Sequence, residues 1–235
     1  MRKFVLCMVM VLTFASPAAA CIGARQAAMG WCGVAISDDA TTSYWNPAAL
    51  VWARDGFMYG SIWGSTDLAA KYGSFGFHYV ADWDKWYWRI SYGHQLDTDT
   101  AIGFNVGWFN YTYGHHHPSL DIAYLHKHNN FTFGVLAQNL GNIRPEIACN
   151  TDHVTISVGL YDLFDICKHY NDDGISLRDL HAGIELRPVS FLALRGGYIS
   201  NYDNLTYGVA IKTSFLTLDY VRIEEVNCFS ITCIF

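Results

Sequence analysis

From about residue 70 to the C-terminus, apolar and polar side chains alternate in stretches of up to about ten residues, each closed by a turn, and this period of two predicts strands. In Trp86 to Gly93, the residues Trp86, Trp88, Ile90 and Tyr92 share one face and Tyr87, Arg89, Ser91 and Gly93 the other. Ala101 to Trp108 sets Ile102, Phe104, Val106 and Trp108 against Gly103, Asn105 and Gly107. The alternation also marks Tyr72 to Val80, Leu120 to Tyr124, Phe131 to Ala137, Val154 to Leu160, Leu180 to Leu186, Leu192 to Tyr198, Leu205 to Ile211, Leu216 to Tyr220 and Phe229 to Phe235. With a weaker strand near Phe57 to Trp63, the pattern predicts an all-β chain of about twelve strands, an even number suited to a closed bacterial barrel.

Alternation alone also fits a soluble barrel or sandwich with its apolar face inward. Three features favour a transmembrane antiparallel barrel. Aromatic residues crowd the apolar face near strand ends, the opposite face is rich in glycine and small polar residues, and the chain stops on Phe235. Composition agrees, with 51% hydrophobic, 16% aromatic and only 15% charged residues. Soluble chains carry about a quarter charged residues.

The chain opens on Met1, Arg2 and Lys3, continues with an apolar run from Phe4 to Phe14, and reaches Ala18-Ala19-Ala20 before Cys21. A basic start, an apolar run too short for a bilayer and small residues at its end predict a signal peptide over 1–20 and export to the cell outer membrane. Its removal takes the formal charge from −6 to −8, which excludes a basic footprint for nucleic acid. Six cysteines remain, Cys21, Cys32, Cys149, Cys167, Cys228 and Cys233, and their spacing chooses no disulfide pattern. Cys21 could carry lipid, although alanine occupies the place where a lipoprotein signal has a leucine-like residue.

With the C-terminus on the periplasmic side, Arg187 to Val189 and Thr213-Ser214 become short inner turns, while Ser200 to Asn204 and Phe164 to Leu177 lie outside. Gly141 to Asp152 breaks the rule, being a long connection on the inner side. Before residue 56 the alternation is absent. The segment 21–55, rich in alanine and glycine, is expected to form a hatch or plug, leaving 56–235 as the barrel.

Within that segment, Gly23-Ala24-Arg25, Met29-Gly30, Asp38-Asp39-Ala40 and Asn46-Pro47-Ala48 together resemble the N-terminal signature of the PorV/PorQ family, relatives of the FadL-type outer-membrane channels. Ala137-Gln138-Asn139-Leu140-Gly141, Ala182 to Leu186 and Ala193 to Tyr198 resemble the same family. The resemblance implies a barrel with an N-terminal hatch, of fourteen strands in its better-known members, against the twelve counted here. It implies either a scaffold or partner in protein export or, in the FadL direction, a channel for a small hydrophobic or amphipathic molecule. The short signatures match PorV/PorQ better, so the export-associated or general outer-membrane role stands first. A soluble periplasmic lipid carrier is a third alternative. The terminal face of Phe229, Ile231 and Phe235 resembles the signal read by barrel-assembly machinery, which with outer-membrane lipid completes the expected partners.

Chemistry is sparse. No nucleophile elbow, phosphate loop or zinc signature is present, so the chain reads as non-enzymatic and without cofactor. Parity places Arg89, Glu185, Arg195, Lys212 and Asp219 on the inner face, where they would pair or line a polar path. His115-His116-His117 reads as a solvated turn, and Asn171 to Gly174 as a turn without calcium-loop spacing.

Overall fold

The structure, a computed structural model, describes residues 23–62, 65–81, 85–111, 115–161, 180–200 and 203–235. The expected signal peptide, Cys21, Cys167 and the outer connection 164–177 with Asn171 to Gly174 lie outside them. The chain forms β1 (Gly56–Ile62), β2 (Ser65–Tyr72), β3 (Phe75–Ala81), β4 (Lys85–Gln95), β5 (Thr100–Tyr111), β6 (His115–His128) and β7 (Phe131–Gln138). It continues with β8 (Asn142–Asn150), β9 (Val154–Leu160), β10 (Leu180–Val189), β11 (Leu192–Ile199), β12 (Asn204–Lys212), β13 (Leu216–Ile223) and β14 (Val226–Ile234). Each strand pairs antiparallel with the next, and β14 returns to β1 from Gly56 opposite Ile234 to Ser61 opposite Phe229, closing the barrel.

The faces are reversed relative to a soluble domain. Phe77, Ile90, Phe104, Val106, Ile156, Leu205 and Ile211 point outward and are exposed, whereas His78, Arg89, Asn105, Asp121, Glu185 and Thr206 are buried inside. An apolar exterior around a polar interior suits strands whose outer solvent is hydrocarbon and whose backbone groups are all paired around a closed ring. A soluble carrier would call for the opposite arrangement, with its apolar face inside.

Fourteen strands replace the expected twelve. The two additions are β2 and β8. β2 turns Asp67, Ala69 and Lys71 inward, residue types that strands disfavour, so its sequence reads weakly. β8 carries Pro145, which suggests a loop, but pairing with β9 begins only at Glu146, so the missing N–H falls beyond the end of that ladder. β8 also accounts for the long inner connection read from 141–152, which is a strand between two short turns. Tyr72 ends β2 rather than opening β3, and His115 to His117 begin β6 rather than forming a turn. Among the described residues no group of His, Cys, Asp or Glu is placed to hold a metal, and Cys32, Cys149, Cys228 and Cys233 form no disulfide with one another.

Residues 23–55 lie inside the ring as α1 (Ala24–Ala28), α2 (Thr42–Trp45) and a 3-10 helix (Pro47–Val51). The last has a local cause: Asn46 caps it by accepting a hydrogen bond from the Ala48 N–H at 3.0 Å, and Pro47 occupies the first turn, where no N–H is needed. Where the segment joins β1, Asp55 accepts from Lys71 Nζ at 2.6 Å and from the Gly73 N–H at 2.9 Å. The Lys71 hydrogen bond holds the Asp55 carboxyl below its usual range, against a smaller opposing effect of burial. A depressed carboxyl stabilises the fold above its unfolded pKa of about 4, and that contribution is lost as pH falls through the folded value. Asp55→Asn should therefore lower the unfolding temperature at neutral pH and flatten its fall below about pH 4, so that variant and wild type converge in acid; an unchanged neutral unfolding temperature with an unaltered acid limb would remove this role.

Candidate lumen site

Several glycines on the inner face are seats for the N-terminal segment. A Cβ on Gly197 would lie 2.0 Å from the Gly30 nitrogen, one on Gly183 would lie 2.4 Å from the Met29 oxygen, and one on Gly103 would lie 2.2 Å from the Ala48 nitrogen. Gly30 itself has φ +66, open to glycine at little cost, and a side chain there would strike the backbone of Ala182 and Tyr198. Polar wall groups complete the seat. The Gly30 N–H donates to Thr206 Oγ1 at 3.1 Å, and Thr206 donates onward to the Ala28 oxygen at 3.0 Å. Glu146 Oε2 accepts from the N–H groups of Gly33 and Val34, both at 2.8 Å.

These contacts run round the whole wall. Ala40 packs on Met58 and Ala69 of β1 and β2; Ser43 reaches Phe77 of β3 and Ser91 of β4; Pro47 and Ala48 press on β4 and β5. Asn46 Nδ2 donates to the Val34 and Tyr124 oxygens, Val34 lies on Gly134 of β7, Glu146 holds β8, and Cys32 Sγ reaches the Ser157 oxygen of β9. Ala24 and Ala28 pack against Val221 and Cys228 of β13 and β14. With the β10 to β12 contacts above, the segment reaches every strand.

A chain of charges fastens it. Arg25 Nε donates to Glu185 Oε2 at 3.1 Å and its Nη1 to Asp38, while Arg195 Nε donates to the same Glu185 oxygen at 2.7 Å and its Nη1 to Asp219. Arg187 Nη1 donates to Glu185 Oε1 at 2.9 Å, and Lys212 Nζ stands 3.7 Å from it. Glu185 is fully buried and faces these four cations. Asp38 is different: its side chain is 55% exposed, toward a cavity of about 660 Å³ at the C-terminal end of the lumen, lined also by Arg25, Ile36, Lys127, Asp152 and Arg187. The second acid of the pair, Asp39, accepts from the Thr41 N–H and hydroxyl at 2.8 and 2.6 Å.

At the other end of the lumen the rings gather. Tyr44 stands between Trp45 and His78, both 5.1 Å away between centroids, and Tyr87 stacks on Phe109 at 4.9 Å. The Arg89 guanidinium lies among them, 4.7 Å from the Tyr44 ring centre and 5.2 Å from that of Phe109, with Nη1 3.4 Å from Asp121 Oδ2. His78 in turn pairs with Asp67 at 2.7 Å.

The segment residues singled out in the sequence, Gly23, Ala24, Arg25, Met29, Gly30, Asp38, Asp39, Asn46, Pro47 and Ala48, thus lie along this docked segment, mostly buried. Glu185, Arg195, Lys212 and Asp219 share one network, from which Arg89 stands apart in the ring cluster. Phe229 and Ile231 sit on the outer face of β14, with Ile231 covered by Leu216 and Phe215, and Phe235 follows the end of the strand, exposed. Sequence reasoning missed Asp67 and Glu146 because their strands were unread, and missed Asp121, although parity on β6 could have placed it inside. Tyr44 and Phe109 meet Arg89 only through the fold.

The arrangement defines a class: a closed antiparallel barrel, apolar outside, with an internal segment across its lumen. Structural comparison finds the same fold in the toluene transporter TbuX of Ralstonia pickettii, with a TM-score of 0.63 and 12% identity over 91% of this chain and 98% of that one. A monoaromatic hydrocarbon channel, CymD, is similar at a TM-score of 0.60 and 12% identity over 92% of this chain and 98% of that one. No protein-family model matches the sequence, and no curated protein matches it.

Proposed function

We propose that this chain is an outer-membrane barrel that admits small hydrophobic or amphipathic molecules, with residues 23–55 as its hatch. The observation that carries the reading is the lumen itself: a hatch seated on every strand, its Tyr44 joining the wall rings Tyr87 and Phe109 in an aromatic cluster, in a barrel whose exterior suits hydrocarbon. The likeness to a toluene transporter and a monoaromatic hydrocarbon channel supports the same direction at the level of fold. The export-scaffold reading draws less support. The signature residues that favour it are turned to intramolecular docking of the hatch.

Cells whose outer membrane contains the protein should take up labelled toluene at low concentration several-fold faster than cells lacking it. Equal initial rates, with the protein recovered from the outer membrane as a heat-modifiable band, would overturn the channel reading. Deleting 164–177 provides the contrast: loss of a co-purifying secreted protein with uptake intact would favour the scaffold.

A further inference from the structure

We infer that the ring cluster around Arg89 is a binding seat for a neutral aromatic molecule bearing a hydrogen-bond acceptor, of the phenol or aryl-alcohol class, in preference to a plain hydrocarbon or an aromatic acid. The inference rests on the uptake reading and narrows its substrate. Arg89 stands opposite Gly107, where a Cβ would come within 2.9 Å of the Arg89 Cγ, so the missing side chain lets the arginine stem lie across β5. That places the guanidinium among Tyr44, Tyr87 and Phe109, whose faces take its charge by cation–π attraction and leave its N–H edge for acceptors in the plane.

The edge is unfilled. Arg89 is fully buried, and among the described residues its Nε, Nη1 and Nη2 make no hydrogen bond; the Tyr87 hydroxyl beside it makes none among them either. Buried donors without acceptors are costly, more so when charged, and a ligand oxygen placed there would relieve that cost. Rings flanking the guanidinium favour an aromatic ligand body over an aliphatic one.

Charge decides which oxygen. Asp121, itself fully buried, lies 3.4 Å from Arg89 and is held by Asn105 Nδ2 at 3.0 Å and the Asn139 N–H at 2.8 Å. The guanidinium is therefore already neutralised, and a carboxylate ligand would bring a second anion close to Asp121 in a site shielded from water. A hydrocarbon would leave the donors unfilled. A site built to hydrogen-bond a hydroxyl discriminates strongly against an analogue lacking it.

The test measures binding of p-cresol, p-xylene and p-toluate to the purified barrel in detergent at pH 7, where the phenol is neutral because its pKa is about 10. Wild-type protein should bind p-cresol about tenfold or more tightly than either analogue, corresponding to at least about 1.4 kcal/mol. The paired variant Arg89→Met with Asp121→Asn keeps the site uncharged and should lose that preference while still binding p-xylene. p-Xylene or p-toluate binding as tightly as p-cresol, or a preference that survives in a paired variant with a normal heat-modifiable band, would overturn the inference and leave the uptake reading standing. Should the paired variant fail to fold, the wild-type ranking alone decides. Binding of none of the three probes would remove both readings.

Discussion

Replacing Glu185 by glutamine should lower the unfolding temperature of the barrel by on the order of 10 °C and free the N-terminal segment. The carboxylate is fully buried and serves Arg25, Arg187, Arg195 and Lys212 together. Breaking a buried ion pair by removing one partner costs about 3–5 kcal/mol, because the remaining charge is left without compensation. At about 2–4 °C per kcal/mol for a chain of this size, that predicts the stated shift. Arg25→Met should cost less. Glu185 would keep three cations, and the partner left behind, Asp38, is half exposed to the inner cavity and can be solvated. Heat-modifiable gel mobility reads the unfolding temperature of both variants, and in Glu185→Gln tryptic cleavage after Arg25, buried in the wild type, reads release of the segment. A larger loss in Arg25→Met than in Glu185→Gln would contradict the network as described.

The second large effect is steric and carries its own control. Gly196 and Gly197 are neighbours on β11 pointing to opposite faces. A Cβ on Gly197 would lie 2.0 Å from the Gly30 nitrogen and 2.4 Å from the Met29 carbonyl carbon, whereas one on Gly196 meets nothing closer than 3.7 Å. Gly197→Ala must push segment backbone off the wall, at or above the upper end of the about 1–3 kcal/mol typical of overpacking, since backbone held by Thr206 and His181 cannot swing aside as a side chain could. Gly196→Ala should be nearly silent. Unfolding temperature together with protease access to the segment reads both. Equal behaviour of the two variants would mean that Gly30 is not seated where described.

The outward alternation of Trp86, Trp88, Ile90 and Tyr92 made β4 legible from sequence, and parity alone put Glu185, Arg195, Lys212 and Asp219 on the inner face of four separate strands. What parity cannot give is which inner residues touch, since Glu185 meets Asp219 only through Arg195, and Arg25 reaches Glu185 across 160 positions of sequence. β2 and β8 were unread for a shared reason. Lumen-facing charges, Asp67 and Lys71 in one and Arg144 and Glu146 in the other, make a strand look like a loop when its polar side is judged against water rather than against a polar lumen. The inner glycines were visible as a pattern, but their purpose was not, because the backbone that Gly93, Gly103, Gly134, Gly183 and Gly197 admit lies more than forty residues away in the sequence. The resemblance to PorV/PorQ drew attention to the segment residues that dock the hatch; the structural comparisons show the barrel fold that the same resemblance implied.

The central claim is that a segment touching all fourteen strands stops the lumen from being an open aqueous pore. Single-channel conductance in planar bilayers tests it most directly. Wild-type barrel should insert without steady open steps, while a chain lacking residues 24–54 should show them. Steady conductance in the wild type equal to that of the deletion would contradict the account.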